Sequence, residues 1–387
     1  MRKSIIFLLS IIYFCTPIIH KAYANEVSTF NIQSEAAILV DSETGAVLYE
    51  KNADQRMYPA SLTKIATAIY AIENGDLDDL VTVSEDATTT GGTSVFLEEG
   101  EQVPLKKLIQ GMLINSGNDA ATAIAEHLDG SMEKYEKHLN QYLLKKVKVN
   151  DTHFTNPHGL FEQNHYTTAG DLAKITNYAL KNEMFRKTFG TKELEWKGKS
   201  WDTTLITHHL MLKGEIPYDS VTGGKTGYVP ESKFTLATTA KQDGMELTAI
   251  VLRGTTDKEV YNDTEKLLDY GFDQFKHSYI SHSDVFESEN KTFTTGLNDV
   301  MVTIPKTPVQ KTLTPDGQLQ FTNDQGELIQ SVILVEKQKK QSHPKSVVQN
   351  ENKTMGYYGK YATLILILAA LMISVRKFKK RKRVKAT

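Results

Sequence analysis

Between Ala36 and Phe275 the apolar positions alternate between two spacings, one of period two and one of three to four. Ala36 to Asp41 and Ala46 to Glu50 are short apolar-rich runs joined by the polar turn Ser42-Glu43-Thr44-Gly45, which predicts a strand pair. After Pro59 the pattern lengthens: Leu62, Ile65, Ile69 and Ile72 make one helical stripe, with Gly75 as its stop. A second helix is expected from Pro104 (Leu105, Leu108, Ile109, Met112) and a third from Asp119 (Ala120, Ile124, Leu128). Period two returns at Phe234 to Ala240 and Glu246 to Arg253, a hairpin across Asp243-Gly244. A helix carrying Val260, Thr264, Leu267, Leu268, Gly271 and Phe275 closes the pattern. Strands at both ends of residues 30–277 with helices between them predict an α/β sandwich whose sheet joins the two ends.

Beyond His282 the texture changes to short alternating runs (Val300, Val302, Ile304; Leu319, Phe321) broken by Gly296, Pro305, Pro315, Gly317 and Gly326. Residues 282–335 therefore read as a small β-rich domain, and the Lys/Gln/Asn-rich residues 336–356 as a linker. Residues 1–24 have the basic start, short apolar run and Ala22-Tyr23-Ala24 site of a signal peptide, so the single cysteine, Cys15, would be discarded with it. Residues 357–375 hold one charge, Lys360, and suffice for a membrane anchor with that lysine snorkelling. Residues 376–387, with eight bases and no acid, read as a cytoplasmic tail that leaves the body outside.

This layout changes the meaning of the charge. The whole chain of 387 residues has 45 bases and 47 acids, net −2, and looks indifferent to charged partners. With tail and signal peptide set aside, the exported part keeps 34 bases against all 47 acids, net −13, which disfavours nucleic acid and anionic lipid surfaces. No H-E-x-x-H or cysteine cluster is present, so neither a metal nor another cofactor is expected, and His158 and the pair His208-His209 read as structural and as solvated polar residues respectively.

Three short elements carry candidate chemistry. In Ser61-Leu62-Thr63-Lys64 the spacing puts the lysine amine and the serine hydroxyl on one helix face, in the first turn where backbone N–H groups lack helical partners. The same S-x-x-K pattern recurs at Ser131, Ser288, Ser342 and Ser374, so the turn before Ser61 and the apolar helix after it are what distinguish it. Ser116-Gly117-Asn118, taken alone, reads as an ordinary helix N-cap. Lys225-Thr226-Gly227, taken alone, reads as a surface turn, or as a strand offering a cation and a hydroxyl to an anionic peptide end. In this order the three match the S-x-x-K, S-x-N and K-T-G set of penicillin-interacting serine enzymes.

On these residues, with Tyr58-Pro59-Ala60, Leu113-Ile114-Asn115, Asn118-Asp119-Ala120-Ala121 and Phe154-Thr155-Asn156-Pro157-His158-Gly159-Leu160, the chain resembles the low-molecular-mass penicillin-binding proteins that are D-alanyl-D-alanine carboxypeptidases. The resemblance extends from about Ala36 to Phe275. It implies a penicillin-binding/β-lactamase-like α/β sandwich, an antiparallel sheet with helices, followed by the β-rich domain and a C-terminal transmembrane helix. It implies that Ser61 attacks the carbonyl between two D-alanines, that Lys64 takes its proton and that Ser116 relays it to the leaving amine. Asn118 would hold the substrate amide, Lys225 and Thr226 the terminal carboxylate, and the Ser61 and Tyr228 N–H groups the oxyanion. Lys64 would need its pKa lowered to about 7–8, which desolvation and the second cation Lys225 favour. The implied partners are peptidoglycan stem peptides, β-lactams as covalent inhibitors and the cytoplasmic membrane. One departure follows the third motif, where Val229-Pro230-Glu231-Ser232 replaces a small-residue and cysteine pattern. The competing readings are a class A β-lactamase, suggested by Glu136-Lys137-His138-Leu139-Asn140, and a non-catalytic wall-binding scaffold. Glu136 to Asn140 falls within an expected helix, which argues against a deacylating loop.

Overall fold

The structure is a computed structural model that describes residues 30–323 and 325–337. The signal peptide, nearly all of the linker, the anchor and the basic tail lie outside the described residues. Among the described residues no helix is long and apolar enough to cross a membrane.

A five-stranded antiparallel sheet organises the chain. Its strands are β1 (Ala36–Asp41), β2 (Val47–Lys51), β3 (Val221–Val229), β4 (Lys233–Gln242) and β5 (Met245–Gly254), in the order β2-β1-β5-β4-β3. The two ends of the domain meet as the pattern predicts: Ala36 pairs with Leu252 and Val40 with Thr248. The period-two alternation sorts side chains to opposite faces. Ile38, Val40, Ile250 and Leu252 join a core shared with the helices, whereas Ala37, Leu39, Leu247 and Val251 face the other core. The helix α6 (Asp257–Gln274) covers that second face with Val260, Leu267 and Leu268. On the first face pack α1 (Thr63–Asn74), α2 (Leu105–Ile114), α3 (Asn118–Asp129), α4 (Met132–Tyr142) and α5 (Ala169–Ala179). Leu62, Ile65 and Ile69, the stripe read from the sequence, are fully buried there. Among the described residues β3 pairs with a strand on one side only, β4, and as an edge strand it can accept an added strand on the other.

The strands from Phe275 onward enclose a separate small core of Ile280, Phe293, Val302, Leu319, Phe321, Val332 and Leu334. A buried carboxylate ties them to β1. Asp41 Oδ2 accepts from His277 Nε2 at 2.7 Å and from Thr303 Oγ1 at 3.1 Å. Its Oδ1 accepts the Glu43 and Thr44 N–H groups of the β1–β2 turn.

Candidate active site

Ser61 lies in a single 3-10 turn, Ala60–Leu62, directly before α1. Ala60 holds φ at +49°, a left-handed conformation that an alanine adopts only when its surroundings over-determine it. Those surroundings are visible: Thr63 Oγ1 donates to the Ala60 carbonyl at 2.8 Å, and Thr235 Oγ1 donates to the Pro59 carbonyl at 3.0 Å. Ser61 therefore stands on a turn clamped from both α1 and β4.

Lys64, one helical turn on, is fully buried. Its Nζ lies 3.1 Å from Ser61 Oγ, 2.6 Å from Asn118 Oδ1 and 2.7 Å from the His158 carbonyl. Burial first, and Lys225 second, push its pKa well below the ordinary lysine value, while Asp119 pulls the other way. Lys225 Nζ donates to Ser116 Oγ at 2.9 Å and to the Thr226 carbonyl at 2.8 Å, and burial lowers its pKa to about 7. The fold thus assembles two hydroxyls, each within reach of a buried amine. A lowered pKa raises the share of the Lys64 amine that is neutral, and a neutral amine can take a proton from the hydroxyl beside it.

Neither Ser116 nor Asn118 caps α3 with its side chain. Gly117 is the N-cap of α3, and no side chain caps the helix. Ser116 stands at φ +63° with its hydroxyl against Lys225, and the Asn118 amide is used elsewhere, its Nδ2 donating to the Gly91 carbonyl at 2.6 Å. Glycines set the close approaches in β3. A Cβ on Gly227 would lie 2.4 Å from Thr235 Oγ1 and 2.9 Å from the Ser61 nitrogen, so only glycine lets the strand pass this close to Ser61. Thr226 is half-buried, and Tyr228 is 56 % exposed at the mouth of the site.

Two histidine expectations meet different outcomes. His208 is exposed, but His209 is only 1 % exposed, which corrects the reading of the pair as solvated. The reason is Gly224: its missing side chain leaves the slot the ring fills, since a Cβ there would lie 2.2 Å from the imidazole. His209 Nε2 bonds Thr238 Oγ1 at 2.8 Å and Nδ1 accepts the Leu212 N–H, while burial beside Lys225 drives its pKa down to about 3. The ring is neutral and structural. The Gly223-Gly224 pair ahead of Lys225 was the available signal.

His158 is structural in its side chain, with its pKa lowered to about 3 by burial and Lys64, but its backbone carbonyl is a direct partner of Lys64. That carbonyl is held by a network: Asn156 Oδ1 accepts the Gly159 N–H at 2.8 Å, and Thr67 Oγ1 donates to the Pro157 carbonyl at 2.7 Å. Gly159, at φ +87°, presses on the Ala60–Leu62 turn so closely that a Cβ would lie 1.9 Å from the Ala60 carbonyl oxygen. Gly159→Ala is accordingly expected to displace Ala60 and Ser61 and slow acylation by about 10²-fold. Stopped-flow labelling with a fluorescent penicillin checks this, and an unchanged rate would contradict it.

Glu136 and Asn140 lie on α4, as the spacing implies. Asn140 is bonded to Phe154 through both its N–H donor and its carbonyl acceptor, so it braces the segment leading to His158. No cluster of three or more potential metal ligands occurs among the described residues.

A half-buried serine on a buried lysine, beside a second, buried serine–lysine pair at the edge of an antiparallel sheet, defines a serine acyl-transfer site on a penicillin-binding fold. Residues 22–256 match the D-alanyl-D-alanine carboxypeptidase model of the S11 peptidases, and the chain belongs to that family. It is 37 % identical over 251 residues to the D-alanyl-D-alanine carboxypeptidase DacF of Bacillus subtilis, an alignment that spans 63 % of each chain, a little under two-thirds. It is 33 % identical over 289 residues to DacA of Escherichia coli K12, covering 68 % of each. The solved structure of the D-alanyl-D-alanine carboxypeptidase DacD from Francisella tularensis superposes with a TM-score of 0.68 at 25 % identity, over 79 % of this chain and 93 % of that one. A Streptomyces K15 DD-transpeptidase mutant superposes with a TM-score of 0.59 at 28 % identity, over 63 % and 99 %.

Proposed function

We propose that this chain is a serine D-alanyl-D-alanine carboxypeptidase that removes the terminal D-alanine of peptidoglycan stem pentapeptides through an acyl-enzyme. The observation that carries the reading is the contact of Lys64 Nζ with Ser61 Oγ at 3.1 Å inside a buried, cation-flanked site. Neutral Lys64 takes the Ser61 proton as Oγ attacks the carbonyl between the two D-alanines. The N–H groups of Ser61 and Tyr228 receive the oxyanion. As the tetrahedral intermediate collapses, Ser116 relays the proton held by Lys64 to the leaving amine, giving up its own and taking that one in its place, and D-alanine departs. Water then hydrolyses the ester, returning the proton to Ser61. Lys225 and Thr226 hold the substrate carboxylate, and Asn118 the amide preceding the scissile bond. The stem lies antiparallel along β3 as an added strand. The enzyme body would be exported and tethered through residues 357–375, with residues 376–387 cytoplasmic, so that membrane and wall face it together.

A diacetyl-L-Lys-D-Ala-D-Ala peptide should release one D-alanine per molecule, and one equivalent of benzylpenicillin should stop the release. The β-lactamase alternative requires sustained hydrolysis of a chromogenic cephalosporin instead. The scaffold alternative requires neither release nor labelling. Either of those outcomes would sink the carboxypeptidase reading.

A further inference from the structure

Beyond Tyr228 the chain turns through Val229-Pro230-Glu231-Ser232 before β4, with the Val229 N–H donating to Ser232 Oγ at 3.1 Å. This turn forms one wall of a cavity of about 250 Å³. Another wall belongs to the segment that leads into the nucleophile, with Arg56 and Tyr58 shortly before Ser61, and Tyr166 and Arg253 complete it. Both arginines are held in place. Arg56 donates from Nη2 to Asp151 Oδ1 at 2.8 Å, and its guanidinium lies 4.5 Å from the centre of the Tyr166 ring. Arg253 Nε lies 3.2 Å from Glu35 Oε2. Arg253 also stands at φ +59°, at the register shift between β4 and β5. A bulge of this kind re-aims a side chain, and the cost of a left-handed arginine marks the placement as over-determined. A guanidinium has five N–H donors, and the bonds to Asp151 and Glu35 use only part of each set. Glu231 is exposed on the turn that lines the same cavity.

Two guanidiniums and one carboxylate around a cavity next to the cleft suit a group that carries both charges. A stem peptide lying antiparallel to β3, with its terminal carboxylate at Lys225 and Thr226, sends its earlier residues past Tyr228 toward Pro230 and Glu231. At about 3.3 Å per residue, the residue before the two D-alanines comes level with this turn. We propose that the cavity receives the side-chain end of that third stem residue and favours one ending in both a carboxylate and an ammonium, a diamino dicarboxylic acid, over lysine. The carboxylate accepts N–H bonds from Arg56 and Arg253 in the forked geometry that guanidinium supplies, and the ammonium faces Glu231. A lysine side chain brings only its ammonium and leaves the remaining N–H donors of both guanidiniums without the carboxylate they would bind. The inference rests on the carboxypeptidase reading and adds its specificity.

The test uses three peptides of the form acetyl-L-Ala-γ-D-Glu-X-D-Ala-D-Ala, where X is meso-diaminopimelate, its side-chain amide, or L-lysine. The free diamino dicarboxylate should be cleaved with about tenfold higher kcat/KM than either other peptide, the difference lying in KM. Arg56→Gln and Arg253→Gln should each reduce that ratio to under about twofold. Benzylpenicillin, which has no such group, reports by its covalent labelling that each variant is folded. Equal kcat/KM for all three peptides on the wild type overturns the subsite and leaves the carboxypeptidase reading intact. Folded variants that keep the full preference overturn it too. D-alanine release from none of the peptides overturns both.

Discussion

Ser61→Ala is expected to abolish covalent labelling by penicillin and to lower D-alanine release by at least about 10⁴-fold, while the protein stays folded. The size of the effect follows from the geometry. Ser61 Oγ is the hydroxyl that touches Lys64, and in the proposed mechanism the acyl-enzyme bond cannot form without it. Ser116 is a poor substitute, because its hydroxyl accepts from Lys225 on the opposite side of the cleft. The structural cost is small by comparison. Ser61 is half-buried, and its loss deprives Lys64 of one of three acceptors, worth about 1 kcal/mol. A thermal midpoint within about 4 °C of the wild type, together with absent gel fluorescence after labelling, is the expected pair of results. Variant and wild type releasing D-alanine equally would refute the assignment of the nucleophile.

Lys64→Met is expected to cost about 10³-fold in acylation rate and to remove the rising limb of the pH profile. A lysine acts as a base only when neutral, that is above its pKa. Burial and Lys225 lower that pKa, so in the wild type acylation rises with pH as Lys64 loses its proton. Lys225 works in the opposite sense. In the proposed mechanism it holds the substrate carboxylate while charged, that is below its pKa, which burial brings down to about 7 in the free enzyme. The profile of kcat/KM should therefore be a bell whose falling limb reports Lys225. Methionine keeps the length and apolar stem of Lys64 but carries no proton acceptor. The falling limb should survive in the variant and the rising limb disappear; a rising limb that persists would place the base elsewhere. Asn118 Oδ1 and the His158 carbonyl lose their donor in this variant, at about 1–3 kcal/mol each, so folding must be checked alongside.

Much of this site is legible in the sequence, and the reason is chemical. Ser61, Lys64, Ser116, Asn118, Lys225 and Thr226 are proposed to act through side chains, so their identities are written in the chain. Spacing along a helix already puts Ser61 and Lys64 on one face. The strands of the sheet are legible too, since burial on both faces of β5 and period-two sorting in β1 leave a mark on composition.

The groups that hold the site in position are less legible. Lys64 has the His158 carbonyl as a partner, and a backbone carbonyl has no residue signature. Gly159 touches Ala60 across 99 positions of chain, and a glycine near a proline reads equally well as an ordinary turn. His209 looked solvated beside His208 because its slot is made by an absent side chain on another strand, Gly224. The Ser116-Gly117-Asn118 cap was locally reasonable. It fails because long-range partners, Lys225, Lys64 and Gly91, claim both side chains first.

By itself, then, the sequence determined which functional groups are present, in what order, and which segments are strands and helices. These depend on local spacing and on whether each side chain is apolar. Only the tertiary structure decided how deeply the two lysines are buried, and with it how far their pKa values fall. It alone brought Arg56, Glu231 and Arg253 around one cavity. Desolvation and charge–charge coupling depend on distances between residues far apart in the chain, and packing sets those distances.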